Sequence, residues 1–269
     1  MVCLIRDIPV HYEEFGEGKP VFNIHGWGVD SRMMISCFEP VFGQKPGYRR
    51  IYPDLPGFGK TPPAKWVRTH DDTLDILREF IAAVIGRENF LLAGCSHGGY
   101  LSLGLIYKMR ERIDGVFLLV TATTSGEEKN LPERQVLRQS EQLAATEDCP
   151  ALQSYMSMAV VATPEIYEKW LTDIQPALDI EKFYDYSALA SPDLDKAIET
   201  LTFDKPSCIL AGRQDHSCGY ASAYELAARF PRATFAALDC AGHIAQAENE
   251  PLFQALAKDW ILRVEIGKH

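Results

Sequence analysis

The chain has 269 residues, 46% of them hydrophobic, and its 37 acidic and 27 basic residues leave a formal net charge of −10. This length and hydrophobic share are typical of a globular protein with a large core and argue against disorder. The acidic balance, without a basic patch, argues against nucleic acid as a partner, and no apolar run approaches the ~20 residues of a membrane span.

The cysteines and the N-terminal residues indicate the cellular compartment in which the protein resides. The seven cysteines are odd in number, scattered and without a C-x-x-C pair, which is typical of thiols in a reducing environment. The N-terminus lacks the basic start and apolar run of a signal peptide. The sequence therefore predicts a soluble cytoplasmic protein. Its expected assembly is a monomer or a homodimer.

The first 120 residues alternate predicted strands with helices. Strands are predicted at 2–8, 10–15, 21–24, 49–52, 90–93 and 115–120, and helices at 31–42, 71–86 and from Tyr100 onward. The helix at 71–86 has the clearest pattern, because Leu74, Leu77 and Ile81 recur at helical spacing. Thr69 and Asp72 are placed as a capping box before it.

The stretch 121–203 differs in composition and in pattern. It holds 15 acidic and six basic residues, and no convincing strand. Helices are predicted at about 132–147, 149–162, 164–178, 181–187 and 193–201. The sequence therefore predicts a separate helical unit at 121–203, inserted in a core formed by 1–120 and 204–269.

The strand pattern returns after Lys205. Strands are predicted at 207–211 and 233–238, with helices at 220–230 and 251–264. Strands that alternate with helices indicate an α/β fold, with a mostly parallel sheet of about eight strands covered by helices on both faces. Ligands of such sheets bind at the carboxyl ends of the strands, so the loops after the strands should share one functional rim.

One of these loops carries a G-x-S-x-G motif. The run Gly94-Cys95-Ser96-His97-Gly98 stands between a short apolar strand and an apolar helix. That context suits a sharp turn that exposes a serine hydroxyl above the sheet edge, beside the positive end of a helix. The pattern alone is short enough to occur by chance, so the residues in the other loops decide.

Two later loops supply partners for Ser96. Asp215 follows the strand at 207–211, and His243 follows the strand at 233–238. A serine hydroxyl becomes a nucleophile when a histidine removes its proton and an acid orients that histidine. The chain order Ser96, Asp215, His243 is the one expected for this architecture.

With these motifs the sequence resembles the α/β-hydrolase superfamily over nearly its whole length. The matching elements are H-G-W-G at 25–28, D-L-P-G-F-G-K-T at 54–61, G-C-S-H-G-G at 94–99, G-R-Q-D at 212–215 and A-G-H at 241–243. The resemblance implies Ser96 as nucleophile, His243 as base and Asp215 as orienting acid. It implies an oxyanion hole from the backbone N–H groups of Trp27 and His97, and a helical cap at 121–203.

Other candidate residues receive plainer interpretations. His25 is expected to brace the oxyanion loop, Cys95 to fill space, and Cys218 and Cys240 to pack, while His216 is left unassigned. No metal-ligand spacing and no phosphate-binding glycine loop is found, so no metal or cofactor is expected. Two or three apolar side chains of the cap should line the pocket, from among Tyr155, Met156, Met158, Tyr167, Trp170, Phe183, Tyr184 and Tyr186.

The expected activity is that of a carboxylesterase-type serine hydrolase on a small to medium neutral ester, thioester or lactone. A serine at the elbow argues against epoxide opening and halide displacement, for which family members carry aspartate. Two alternatives stay open: a C–C bond hydrolase with the same triad, and a ligand-binding member of the fold without turnover. The acidic cap weighs against anionic substrates.

Overall fold

An eight-stranded sheet runs through the protein, in a computed structural model that describes residues 1–126, 128, 130–178 and 189–267. In chain order its strands are β1 (Val2–Ile5), β2 (Ile8–Phe15), β3 (Lys19–Ile24), β4 (Tyr48–Pro53), β5 (Phe90–Cys95), β6 (Ile113–Leu119), and, after a further pair named below, β9 (Ser207–Gly212) and β10 (Ala233–Leu238). Their spatial order is β1-β2-β4-β3-β5-β6-β9-β10. The pairs β1–β2 and β2–β4 are antiparallel and the others are parallel. The predicted mostly parallel sheet of about eight strands is confirmed.

Helices connect the strands and cover the sheet. In the described residues they are α1 (Ser31–Phe42), α2 (His70–Val84), α3 (His97–Met109), α4 (Glu141–Ala144), α5 (Pro150–Met158), α6 (Pro164–Asp173), α7 (Gln175–Leu178), α8 (Pro192–Glu199), α9 (Ala221–Ala227), α10 (Ala245–Glu248) and α11 (Glu250–Ile266), with a 3₁₀ turn at Arg110–Arg112. None of these helices combines the length and the hydropathy needed to cross a lipid bilayer. The cytoplasmic location and the oligomeric state stay predictions.

The two faces of the sheet are both buried, and the central strand β5 shows how. Phe90 and Leu92 point into the layer formed with α2 and α3, whereas Leu91 and Ala93 point into the layer with α1 and α11. All four side chains are fully buried. Because both faces are covered, polar groups with a chemical function are left to the strand ends.

Helix α2 begins as the sequence predicts. The backbone N–H of Asp72 donates to Thr69 Oγ1 at 3.1 Å, and the backbone N–H of Thr69 donates to Asp72 Oδ2 at 2.9 Å. This is a complete capping box, which satisfies two backbone donors that the first helical turn leaves without partners. The predicted capping box is confirmed.

The segment 121–203 departs from the predicted helices. Instead of a helix over 132–147 it has the short strand β7 (Arg138–Gln139) and α4, and β7 pairs in parallel with β8 (Val161–Ala162). The β-branched Val160 and Val161 favour this extended pairing over a longer α5. The helix predicted over 164–178 is broken at Ile174, between α6 and α7. Pro176, the second residue of α7, lacks the N–H that a continuous helix would need at that position. The predicted helix at 181–187 lies outside the described residues.

Candidate active site

The loop between β5 and α3 holds Ser96 in a strained backbone conformation. Its φ is +54° and its ψ is −119°, a combination of backbone angles that residues other than glycine rarely adopt. The neighbouring strand fixes this conformation, because the Ser96 N–H donates to the Leu119 carbonyl at 2.9 Å and the Ser96 carbonyl accepts from the Ala122 N–H at 3.2 Å. The turn places the Ser96 side chain at the carboxyl end of β5, before the N-terminus of α3.

The glycines of the motif allow this turn by close backbone contact. A Cβ on Gly94 would lie 2.3 Å from the Gly98 carbonyl oxygen, and a Cβ on Gly98 would lie 2.2 Å from the Ile24 carbonyl oxygen. Helix α3 can therefore approach β5 only because Gly94 lacks a side chain, and it can approach β3 only because Gly98 lacks one.

We expect Gly98→Ala to lower the free energy of unfolding by about 1–3 kcal/mol, as overpacking does elsewhere. The new methyl group would lie 2.2 and 2.4 Å from the carbonyl oxygens of Ile24 and His25. These are backbone atoms, which cannot rotate out of the way as the end of a flexible side chain can. Urea denaturation measures the change. Gly126→Ala is the matched control, since its nearest contact is an ordinary 3.7 Å. An unchanged midpoint for Gly98→Ala would contradict the close-packing argument.

The structure brings the side chains of Ser96, Asp215 and His243 together from three loops. His243 Nε2 lies 3.0 Å from Ser96 Oγ, and His243 Nδ1 lies 3.1 and 3.0 Å from the two carboxylate oxygens of Asp215. The Asp215 carboxylate is fully buried and also accepts from the backbone N–H groups of Ser217 and Cys218, at 2.8 and 3.1 Å. With Nδ1–H donating to Asp215, Nε2 is left to accept the proton of the serine hydroxyl.

Charge at this site couples Asp215 to His243. Burial is the largest single effect on His243 and lowers its pKa, but the charge of the Asp215 carboxylate and its hydrogen bond to the imidazole act the other way, and the pKa of His243 lies well above its ordinary value. Burial raises the pKa of Asp215, but the charge and the hydrogen bond of His243 and the two backbone donors bring it below the usual value. Asp215 is therefore ionised at neutral pH, as an orienting acid must be.

Cys218 lies in the site, which its expected packing role did not anticipate. Its Sγ is 3.8 Å from Ser96 Oγ, and the ligand atoms of Asp215, Cys218 and His243 lie within 4.8 Å of one another. Burial raises the pKa of the Cys218 thiol, which keeps it protonated, and Asp215 already accepts a hydrogen bond from His243. This donor set suits proton transfer better than metal binding, for which a thiolate is needed.

The other histidines and cysteines considered in the sequence do not belong to the chain of contacts from Asp215 to Ser96. His25 is fully buried, with Nδ1 2.7 Å from the Gly26 carbonyl oxygen, while its Nε2 accepts from the Leu55 N–H at 2.9 Å. These contacts fit the expected bracing role. Cys95 is buried, as a filler would be, but Cys240 is exposed, so its predicted packing role is wrong. His216 is half-buried, and its Nδ1 has no hydrogen-bond partner among the described residues.

The two residues predicted to form the oxyanion hole flank Ser96. A Cβ on Gly26 would lie 3.3 Å from Ser96 Cβ, so the loop that continues into Trp27 lies against the serine. The rings of Trp27 and His97 meet edge to face at 5.4 Å, and His97 Nε2 lies 3.1 Å from His70 Nδ1. His97 begins α3, whose N-terminus favours negative charge. The oxyanion role of the two N–H groups stays a prediction.

Two cavities meet at Ser96. The first, about 270 Å³ and here named the Met33 pocket, is lined by Gly26, Trp27, Val29, Met33, Cys95, Ser96, Ser154, Ser157, Met158, Trp170, Ile174, Leu178, His243, Ile244 and Gln246. The second, about 470 Å³ and here named the Glu128 cleft, includes Glu128, Ser217 and Cys218. Among the described lining residues the Met33 pocket has no Asp, Glu, Lys or Arg. It therefore suits the uncharged part of a ligand.

Two of the aromatic and methionine candidates of the 121–203 segment line the Met33 pocket, namely Met158 and Trp170. Tyr155 is buried beside Trp170 instead, at a ring distance of 5.7 Å. Phe183, Tyr184 and Tyr186 lie outside the described residues.

Known proteins are similar to this chain in sequence and in fold. A sequence model of the family described as alpha/beta hydrolase fold matches residues 19–250. A pimeloyl-[acyl-carrier protein] methyl ester esterase of Legionella pneumophila is 33% identical over 117 residues, which cover 43% of this chain and only 42% of that relative. The esterase of the same name from Aeromonas salmonicida is 25% identical over 243 residues, covering 87% of this chain and 92% of the relative. An alpha/beta superfamily hydrolase from Oenococcus oeni has a TM-score of 0.88 at 25% identity, covering 95% of this chain and 96% of that one.

Proposed function

This chain belongs to the alpha/beta hydrolase fold family, and from that premise we propose that it is a serine hydrolase of carboxylesterase type. Its substrate is a small to medium neutral ester, thioester or lactone. The observation that carries the proposal is the continuous set of contacts from Asp215 through His243 to Ser96, with heavy-atom distances of 3.0–3.1 Å. The relatives named as methyl ester esterases support an ester bond as the target.

Each group has a role in an acyl-enzyme mechanism. His243 Nε2 takes the Ser96 proton while Ser96 Oγ attacks the carbonyl carbon, and Asp215 stabilises the imidazolium that forms. The oxyanion is stabilised by the N–H groups of Trp27 and His97, each worth about 10²–10³ in rate. His243 then protonates the leaving group, and it later activates the water that releases the acid.

We also propose that 121–203 is a cap over a core formed by 1–120 and 204–269. Its helices α5, α6 and α7 supply Met158, Trp170 and Leu178 to the wall of the Met33 pocket, opposite core residues such as Val29. The excess of nine acidic residues in this segment would repel an anionic substrate or carrier near the entrance. Both features favour a neutral substrate.

A substrate panel tests the proposal. We expect turnover of p-nitrophenyl acetate and butyrate, and kcat/KM at least tenfold lower for a vinylogous diketone, because no described residue of the Met33 pocket could pair with a charged ring-cleavage product. Hydrolysis of the diketone alone would make the chain a C–C hydrolase. A thermal shift by a ligand that stays uncleaved, without turnover of any ester, would indicate a binding protein.

A further inference from the structure

Gln246 stands out in the wall of the Met33 pocket as a buried polar side chain whose amide oxygen has no hydrogen-bond partner among the described residues. It lies on α10, three residues after His243, and is 8% exposed. Its Oε1 is shielded from solvent and accepts no hydrogen bond from any described residue. Buried amide oxygens in native proteins are normally hydrogen-bonded, so this one calls for a partner outside the chain.

The polar groups near Gln246 do not supply that partner in the described structure. Ser36, Cys37 and Lys169 line a small cavity that Gln246 also borders, but none of them donates to Gln246 Oε1, and Lys169 is paired with Glu250. Met33, Ile174 and Ile244 share its wall of the pocket and have only apolar side chains. The indole N–H of Trp170, in the same wall, already donates to Gln175 Oε1 at 3.1 Å. A ligand in the Met33 pocket can therefore satisfy the amide oxygen, whereas the neighbouring side chains do not.

We propose that Gln246 determines specificity by accepting a hydrogen bond from a neutral donor on the substrate, a hydroxyl or an amide N–H. The donor lies on the half of the ester that occupies the Met33 pocket, away from the scissile carbonyl. This inference rests on the proposed function, since it assumes that the ester binds at Ser96. The donor is neutral because the described lining has no carboxylate to pair with an ammonium group.

The test compares matched ligands with and without the donor. In a Ser96→Ala background, where esters should bind uncleaved, calorimetry measures Kd for methyl 6-hydroxyhexanoate against methyl heptanoate. A second pair, 4-hydroxybutyl butyrate against pentyl butyrate, places the same difference on the alcohol side. Each pair is measured again with Gln246→Met added, a side chain of similar length that has no amide. Gln254→Met is the control, since Gln254 donates to Glu250 at 3.0 Å and does not line the Met33 pocket.

We expect the preference for the hydroxyl ligand in one pair to fall about 5- to 20-fold with Gln246→Met and to stay unchanged with Gln254→Met. The ratio of kcat/KM in enzymes with Ser96 intact should fall by the same factor. Gln246→Met should not lower the thermal midpoint, because it replaces a buried amide whose oxygen has no partner.

The outcomes separate this inference from the proposed function. If Gln246→Met changes the ratio of the two Kd values less than twofold in both ligand pairs, the proposal is overturned and the amide oxygen is assigned to a bound water. If esters are turned over and the ratios do not move, this inference alone fails. If the binding ratio moves and no ester is turned over, the proposed function fails and the assignment of Gln246 stands.

Discussion

Ser96→Ala is expected to lower kcat for the best ester about 10⁴- to 10⁶-fold and to abolish covalent labelling by a fluorophosphonate. The substitution removes the only oxygen within 3.0 Å of His243 Nε2 that could attack a carbonyl, in the described structure. Binding should persist, because the apolar lining of the Met33 pocket is unchanged. Steady-state kinetics and mass spectrometry of the labelled protein measure the two effects.

A second serine gives the matched control for this experiment. Ser207 begins β9, and its hydroxyl donates to the Lys205 carbonyl at 2.9 Å. It lies at the amino ends of the strands, on the edge of the sheet opposite the site, so Ser207→Ala should keep both labelling and turnover. Undiminished labelling of Ser96→Ala, or an unlabelled but folded wild type, would exclude Ser96 as the nucleophile.

Asp215→Asn is expected to lower kcat about 10³- to 10⁴-fold and to move the acidic limb of the pH profile to lower pH. Protonated His243 cannot accept the Ser96 proton, so kcat/KM falls as the pH falls through the pKa of His243 in the free enzyme. Asp215 is the main cause of the raised pKa of His243, and burial alone lowers it. Without the carboxylate, the midpoint of the limb should drop from well above 6.5 toward or below that value.

The measurement is kcat/KM from pH 4 to pH 10 for both enzymes. Asp239→Asn is the control, because Asp239 lies in the His243 loop and accepts from Gln214 at 2.9 Å without contacting His243. It removes one negative charge nearby and should leave the limb in place. An acidic limb with the same midpoint in wild type and Asp215→Asn would show that Asp215 does not control His243.

The sequence predicts the parts of the molecule where local pattern and global fold agree. Residues 90–93 of β5 are four consecutive, fully buried apolar residues. The capping box of α2 needs only Thr69 and Asp72, which are three positions apart. Both signals are local, so neither needs knowledge of a distant contact. The helix predicted over 132–147 failed for the opposite reason, since β7 forms only because Val161, more than 20 residues later, offers it a parallel partner.

The candidate active site also contains residues that the sequence identified and residues that it did not. Loop position, chain order and the resemblance to the α/β-hydrolase motifs together selected Ser96, Asp215 and His243. The loop positions were informative because the carboxyl ends of parallel strands meet at one edge of the sheet. Cys218 and Gln246 gave no comparable signal. A cysteine or a glutamine in a loop has many roles, and only its neighbours decide which one it has.

The order of strands and helices outside 121–203, the capping box and the identity of three candidate catalytic residues could therefore be predicted from the sequence itself, through periodicity, motif spacing and the resemblance to a family. Only the tertiary structure decided the 3.0 Å contact between Ser96 and His243, the thiol of Cys218 beside them, and the unpaired amide oxygen of Gln246 in the pocket wall. Periodicity reports which residues are buried. Which buried groups face one another depends on how separate elements pack, and that is settled by contacts between residues far apart in the chain.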